Sequence, residues 1–593
     1  MKTTLPFLLI VMLTACSAPE LTEAPGTAVI TEGGRVRGFS ADQSVVRWLD
    51  IPYARPPVAD LRWRAPQRLG ASDRDLSPAA EPIMCPQQAG QTSGTVGDDI
   101  VGVEDCLYLD VVAPADYASR RYPVMFWIHG GANTSGHKGT YDFSGLAARE
   151  DVVVVTINYR LGPLGLFTHP ALLAGAEGLD RSGNFGTLDI IAALEWTQRN
   201  IAAFGGDPDN VTIFGESAGG RNVYSMLASP LAAGLFHKAI AQSPTLRSYT
   251  PEQAYNADKA FPQVDRGAWE VLEALGVDHD RVQAEALRAI AAKDLLRPYF
   301  AIAKDHAEPL VLSDGVVIPR EGLLEALGDP RYAKNVPVMA GSNRDEVTLW
   351  LGLNRYFVDA DAYLFGLLPP KLRIREPELF NYWVRQRGRG WKVRAVDEPL
   401  LQLEQAGYRN LYAYRFDWDE QADNWFVPFS RLLGSAHASE IAFVMGAPMY
   451  GTVGDYMYPD TESARAMTDT MMRAWGSFAR TGSPGAVAGI DWPQFSAGSP
   501  DVMVLDAGAD SPRVITDSPG VEGLLQEVAQ TPSPLDGLET CILVWELLTA
   551  VADAAYDQYA RWDNGRCAAV DVPAEKASVR AALTEKYGSP DIF

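Results

Sequence analysis

Val211-Thr-Ile-Phe-Gly-Glu-Ser-Ala-Gly-Gly-Arg221 is the stretch on which the fold turns. A β-branched, apolar run enters Gly215-Glu-Ser217-Ala-Gly219, and a helix-competent segment follows as far as Pro230. Strand, then G-x-S-x-G, then helix is the order in which a serine is lifted above a sheet on a sharp turn. The glycines two before and two after Ser217 let strand and helix close on each other. The next amide then opens a helix, where N–H groups are unpaired and point at negative charge. A chain with 52 glycines produces an occasional G-x-S-x-G by chance. The flanking strand and helix set this one apart, and the rest of the chain has to agree with it.

Upstream, Tyr122-Pro-Val-Met-Phe-Trp-Ile128 has the pattern of a buried strand and runs straight into His129-Gly-Gly-Ala132. Val152-Val-Val-Val-Thr-Ile-Asn-Tyr-Arg160 is apolar over most of its length, as a central parallel strand is. The pattern from Leu188 through Trp196 to Phe204 is helical, and Phe204-Gly-Gly-Asp-Pro-Asp-Asn210 reads as a turn feeding the strand before Ser217. Several strings resemble successive signatures of the type-B carboxylesterases, the cholinesterase-like branch of the α/β-hydrolases. They are Ile51-Pro-Tyr-Ala-Arg-Pro-Pro57, Leu61-Arg-Trp-Arg-Ala-Pro66, Cys85-Pro-Gln87, Glu104-Asp-Cys-Leu-Tyr-Leu109, Asn158-Tyr-Arg-Leu-Gly162 and Gly183-Asn-Phe-Gly-Thr-Leu-Asp189. Met472-Arg-Ala-Trp-Gly-Ser-Phe-Ala-Arg-Thr-Gly-Ser-Pro484 adds to them, and together they cover residues 27 to 515 in order. The resemblance implies an α/β-hydrolase fold: a large, mostly parallel central sheet, helices on both faces and helical cap insertions. It also implies that Glu104 bridges to Arg62, that Cys106 pairs with Cys85, and that Arg160 and Asp189 form an internal ion pair.

The same resemblance implies a catalytic set. Ser217 is the expected nucleophile. The turn after Ile128 supplies oxyanion-hole amides, from Gly131 and Ala132, with Ala218 after the nucleophile as the third donor. Ala132 stands for the commoner third glycine and Asn133 for the usual aromatic; an alanine still offers its N–H. The family order is serine, acid, histidine. Of seven histidines only His237, His279, His306 and His437 follow Ser217. Pro337-Val-Met-Ala-Gly-Ser-Asn-Arg-Asp-Glu346 reads as a strand and an acidic loop, and the family pattern puts the acid at Glu346, with Asp345 as the alternative. Either leaves His437 as the only later histidine, in Gly434-Ser-Ala-His-Ala-Ser-Glu-Ile-Ala-Phe443, with Glu440 three residues on. Between elbow and histidine, residues 250 to 305 read as helices, Pro309 to Pro319 as a strand pair around a turn, and residues 350 to 410 as helical, aromatic-rich cap segments.

At the N-terminus, Lys2, an apolar run to Leu13 and Leu13-Thr-Ala-Cys16 suit a secretory signal and resemble a bacterial lipobox with Cys16 lipidated. Ser17 after it favours the outer membrane. The run is too short to span a bilayer. The net charge of -24 disfavours nucleic acid and fits a soluble exported enzyme. Four cysteines remain, Cys85, Cys106, Cys541 and Cys567. An even count in an exported chain favours disulfides, and of the three connectivities Cys85–Cys106 with Cys541–Cys567 closes the shortest loops. Zinc is the alternative, but the spacings do not suit it and no histidine is near in sequence.

The expected organisation is a signal peptide over 1–15, a tether over 16–26, the hydrolase domain over 27–515, and a helical extension over 516–593 docked on it and stapled by Cys541–Cys567. In that extension one or two helices are expected around Cys541 and from Trp545 to Trp562, then a polar tail. The function implied is ester hydrolysis through an acyl-enzyme, on a small-molecule ester, with no cofactor, no metal, no nucleic acid, and membrane attachment only through Cys16. A choline esterase is disfavoured, because no tryptophan lies between Cys85 and Cys106 to receive a quaternary ammonium. A non-catalytic adhesion protein of the same fold is the competing reading; it requires loss of the triad, and all three members are present.

Overall fold

The computed structural model describes residues 21–592, apart from 42, 91, 92, 96, 98, 265, 303–308, 364–367, 450, 509 and 510. The stretch expected as a signal peptide, Cys16 and the first part of the expected tether, and likewise His306, lie outside the described residues.

One twelve-stranded sheet organises the chain. Its strands are β1 (Thr22–Glu23), β2 (Phe39–Ser40), β3 (Val45–Pro52), β4 (Tyr108–Pro114), β5 (Tyr122–Ile128), β6 (Val153–Ile157), β7 (Gly206–Glu216), β8 (Lys238–Gln242), β9 (Val338–Asn343), β10 (Leu411–Phe416), β11 (Asp501–Leu505) and β12 (Arg513–Thr516). In space they run β1-β2-β3-β4-β6-β5-β7-β8-β9-β10-β11-β12. From β6 to β11 every neighbour is parallel, and the pairs outside that stretch are antiparallel. Both outermost strands are short, two residues in β1 and four in β12.

The long apolar runs of the middle strands follow from burial on both faces. In β5, Val124, Phe126 and Ile128 enter one apolar core while Met125 and Trp127 enter the other. In β6, Val153, Val155 and Ile157 face the first core and Val154 the second. Neither face has room for a solvated side chain, so the sequence does not alternate.

Most expected elements form, with local differences. β7 begins at Gly206 rather than after a long turn, with Gly206 paired to Tyr122 before a register shift. Pro309 to Pro319 does not make a strand pair. Only Val311–Leu312 is extended, against Ser248–Tyr249. The Asp314 carboxylate accepts the N–H groups of Val316, Val317 and Ile318 and closes the segment into a turn. The stretch read as wholly helical opens with an antiparallel hairpin, Val358–Tyr363 with Leu368–Ile374, before the helix Pro377–Lys392, a π-helical turn Val393–Asp397 and the helix Glu398–Gln405. The C-terminal stretch carries helices Gly520–Gln530, Gly537–Thr549, Tyr556–Arg561 and Val572–Tyr587, so the expected polar tail is mostly a sixteen-residue helix.

Both disulfides are present, Cys85–Cys106 with Cα atoms 5.0 Å apart and Cys541–Cys567 with 5.4 Å. Arg62 pairs with Glu104, and Arg160 with Asp189 at 2.7 Å, both partners buried. Among the described residues no helix is long and apolar enough to cross a membrane.

Candidate active site

β7 ends at Glu216 and the helix Ala218–Ala228 starts two residues later, so Ser217 alone makes the corner. Its backbone sits at φ 59°, ψ -121°, a left-handed conformation that costs a non-glycine residue of order 1–3 kcal/mol. The corner is possible because β5 passes immediately behind it. A Cβ on Gly219 would lie 2.0 Å from the Ile128 carbonyl oxygen, so no other residue fits there. The Ser217 N–H donates to Gln242 O at 2.9 Å, tying the corner to β8.

The turn after β5 is left-handed over three consecutive residues, Gly131, Ala132 and Asn133, at φ 89°, 56° and 53°. Such a run turns successive amides toward one side, the geometry of an anion-binding nest. It is fastened from outside. Asn133 O accepts from the Gly162 N–H at 2.7 Å, Asn133 Oδ1 accepts from Asn222 Nδ2 at 3.0 Å, and Tyr159 donates to His129 O at 2.7 Å. Asn133, the departure from the usual aromatic, thus works as the fastener of its own turn.

His437 lies in the loop before the helix Ile441–Met445 and is buried. Its Nδ1 meets Glu346 Oε2 at 2.5 Å, and its own N–H donates to Glu346 O at 3.2 Å. Glu346 Oε1 accepts the Asn343 N–H at 2.8 Å, so the carboxylate is held from both oxygens. Asp345, the alternative acid, points elsewhere, to Arg344 at 2.6 Å and the Ser435 N–H at 3.2 Å. His437 Nε2 is not hydrogen-bonded to Ser217; it lies 3.1 Å from Glu216 Oε1. Contacts of this kind are often loose without substrate and close when it binds.

Three carboxylates therefore surround one imidazole. Burial disfavours the charged ring, but Glu216, Glu346 and Glu440 together outweigh it and raise the His437 pKa to about 10. Burial raises the Glu440 pKa; Asn343 and Gln242 hydrogen bonds oppose this, while the charge of Glu346 adds to it. Glu440 Oε2 accepts from Asn343 Nδ2 at 2.7 Å and Oε1 from Gln242 Nε2 at 3.1 Å. Gln242 accepts in turn from Trp475 Nε1 at 3.0 Å. Protons in such a cluster belong to the group rather than to one residue.

Two indoles cover the imidazole. Trp350 lies 5.2 Å and Trp391 5.0 Å from it between ring centroids, and the indoles stack on each other at 6.0 Å. Nothing in the residue pattern singles them out from other core aromatics. Their signal is positional only in part: Trp350 follows Glu346 by one helical turn, whereas Trp391 arrives from a different helix. Asn343 and Glu216 lie inside strings quoted for other reasons, Gln242 lies in none, and the partners of all three come from segments remote in sequence. The other described histidines serve locally. His129 stacks on Tyr159 at 4.5 Å, His137 and His169 cap short helices, His237 Nδ1 accepts the Val211 N–H, and His279 stacks on Trp269 at 3.8 Å. Among the described residues no group of three or more His, Cys, Asp or Glu is set to hold a metal ion.

Comparison with known proteins gives one family. A model of the carboxylesterase family matches residues 25–360 and 398–517. Para-nitrobenzyl esterase of Bacillus subtilis is 34% identical over 489 residues, 81% of this chain and 94% of that protein. Liver carboxylesterase 1 of Oryctolagus cuniculus is 30% identical over 528 residues, 81% of this chain and 88% of that one. Among solved structures, a thermophilic pNB esterase superposes with a TM-score of 0.66 at 30% identity, covering 83% of this chain and 97% of its own.

Proposed function

The chain belongs to the carboxylesterase family and is a serine carboxylesterase, and on that premise we propose how its residues divide the work of ester hydrolysis. Ser217 Oγ attacks the ester carbonyl. His437 takes the hydroxyl proton at Nε2 and later returns it to the leaving alcohol. Glu346 fixes the imidazole tautomer through Nδ1 and stabilises the ring when it is charged. The amides of Gly131, Ala132 and Ala218 receive the oxyanion, and water then releases the acyl group. The observation that carries this reading is the 2.5 Å contact between His437 Nδ1 and Glu346 Oε2, with His437 Nε2 3.1 Å from Oε1 of Glu216, the chain neighbour of a serine held at φ 59°. The non-catalytic reading has no comparable support, because a binding protein has no use for a buried, oriented acid and imidazole.

The substrate we propose is a small ester of short acyl chain, since two tryptophans occupy the space beside the imidazole. Para-nitrobenzyl esters, which give the Bacillus relative its name, are suitable alcohol-side probes. The experiment is a series of p-nitrophenyl esters of graded acyl length, with turnover highest for short chains. Equal turnover along the series overturns the proposed pocket.

The carboxylate cluster makes a pH prediction. A base must be neutral, so kcat/KM rises as pH passes upward through the histidine pKa. With that pKa raised by its acidic neighbours, the acid limb falls above the ordinary histidine range near 6.5. Glu216→Gln removes a charge that favours the imidazolium and moves the limb to lower pH. A limb unmoved by Glu216→Gln would mean that Glu216 does not act on the ring.

We also propose export as a lipoprotein, with Cys16 as the acylated N-terminus, and periplasmic or outer-membrane residence; the support is the Leu13-Thr-Ala-Cys16 string. Cys16→Ser is expected to move the enzyme from the membrane to the soluble fraction. An unchanged distribution would remove the anchor. On the same footing, residues 27–515 are proposed as the hydrolase domain and residues 516–593 as an extension docked on it.

A further inference from the structure

Residues 361–397 and 518–593 lie beyond the matched residues, and their described helices pack on each other. The helix Pro377–Lys392 lies against the helix Gly537–Thr549, closely enough that a Cβ on Gly390 would come 2.4 Å from Leu547 Cδ2. Around that contact the polar groups pair across the same boundary. Arg387 meets Glu546 at 3.0 Å, and Glu546 also holds Lys576 of the last helix at 2.7 Å. Arg389 grips both oxygens of Glu527 at 2.9 and 2.8 Å. Past Trp391, Arg394 of the π-helical turn donates to the Asp553 carbonyl at 2.9 Å. Burial works against the charge of Glu546, yet Arg387 and Lys576 outweigh it and hold its pKa down at about 2.

The extension also reaches the other tryptophan. Just beyond Trp350, the Arg355 N–H donates to Pro590 O at 2.8 Å, and the Ile592 N–H donates to Leu353 O at 2.9 Å. Tyr356 donates to Glu539 at 2.5 Å. On the third side, the Leu246 N–H donates to Val551 O at 2.7 Å and the Ser248 N–H to Asp553 Oδ1 at 2.6 Å. Leu246 lies close to Pro244, whose carbonyl accepts from Trp391 Nε1 at 2.9 Å. Each segment that presents an indole to the imidazole is thus tied to the C-terminal extension.

We infer that the C-terminal extension is a clamp for the active site: with residues 377–397 it forms one unit that presses Trp391, and through Leu353–Tyr356 also Trp350, onto His437. Trp391 is a positioning residue, and Glu546 acts through it. The clamp limits the swing of the imidazole about its Glu346 contact and sets the wall of the ester pocket. The idea rests on His437 as the base.

The test is a double-mutant cycle in the full-length chain with Trp391→Leu and Glu546→Gln, and with His437→Asn as the control for the base. Small displacements far from the chemistry cost up to roughly a hundredfold. Trp391→Leu is expected to lower kcat about tenfold or more on a short p-nitrophenyl ester, with KM within about twofold. Glu546→Gln lowers it in the same sense, and both variants move the acid limb of the pH profile to the same side of the wild type. In the double variant the loss equals that of Trp391→Leu alone, because residues acting through one contact are not additive. Additive losses, or a Glu546→Gln enzyme with wild-type kcat and pH profile but a lower melting temperature, overturn the clamp. Should Glu546→Gln fail to fold, paired Cys541→Ala and Cys567→Ala loosen the same extension and are read in the same way. A fully active His437→Asn enzyme instead overturns the base assignment; an inactive one with an additive cycle overturns the clamp alone.

Discussion

Ser217→Ala is expected to lose at least roughly a thousandfold in turnover on every ester of the graded series, with the fold intact. A triad member contributes as part of a unit, so removing the proposed nucleophile leaves only what the proposed oxyanion amides and binding provide. The substitution deletes one oxygen at a corner whose φ of 59° is fixed by the approach of β5 behind Gly219, not by the hydroxyl. Its unfolding midpoint should therefore match the wild type. A serine-directed phosphonate should label the wild type at one residue and leave the variant untouched. Residual turnover near the wild-type rate would show that another group attacks the ester, and the site described here would have to be abandoned.

The second large effect is on stability. Asp189→Ala is expected to destabilise the protein by about 3–5 kcal/mol, since it leaves the Arg160 guanidinium charged and buried without its partner. The pair is made three ways: Arg160 Nε and its own N–H both donate to Oδ2, at 2.8 and 3.0 Å, and Nη2 donates to Oδ1 at 2.7 Å. Burial raises the Asp189 pKa, and Arg160 opposes that by ion pairing and hydrogen bonding. Arg160 also stands two residues before Gly162, whose N–H holds the proposed oxyanion turn through Asn133 O. Activity should therefore fall with stability. The check is a guanidinium unfolding curve: the midpoint drops with little change in slope. A midpoint within the error of the wild type would mean that the pair adds nothing to stability.

Much of this was legible in the sequence, for physical reasons that differ by element. The middle strands are apolar on both faces, so runs such as Val124 to Ile128 stand out. Ser217 stands out because its corner demands glycine at fixed offsets. His437 follows from the resemblance: the serine, acid, histidine order, its being the only histidine after Glu346, and its loop motif Gly434 to Phe443 all point to it. What stayed hidden depends on partners remote along the chain. Asn343 bridges Glu346 and Glu440, and Gln242 joins Glu440 to Trp475, yet each is an ordinary polar residue until the sheet brings them together. The hairpin at Val358–Tyr363 and Leu368–Ile374 was missed because Asp359, Asp361, Pro369 and Pro370 break the usual strand composition. The helix Val572–Tyr587 carries no helical signal in the sequence, because only Val572 of it is buried and no apolar stripe results.

The two short outermost strands carry a consequence for how the protein keeps to itself. An open sheet of this width has two rows of unpaired backbone groups, each a template on which a second chain could nucleate an intermolecular ladder. Here one row is two residues long, at Thr22 and Glu23, with Glu23 against Arg37. The other is four residues long and starts at Arg513, which is paired with Asp417 and Asp506. The long apolar strands β5 to β10 all lie inside the sheet with a strand on either side. Among the described residues, cross-β growth from the outermost strands thus meets only short, charged templates, and the sheet can be wide without being sticky.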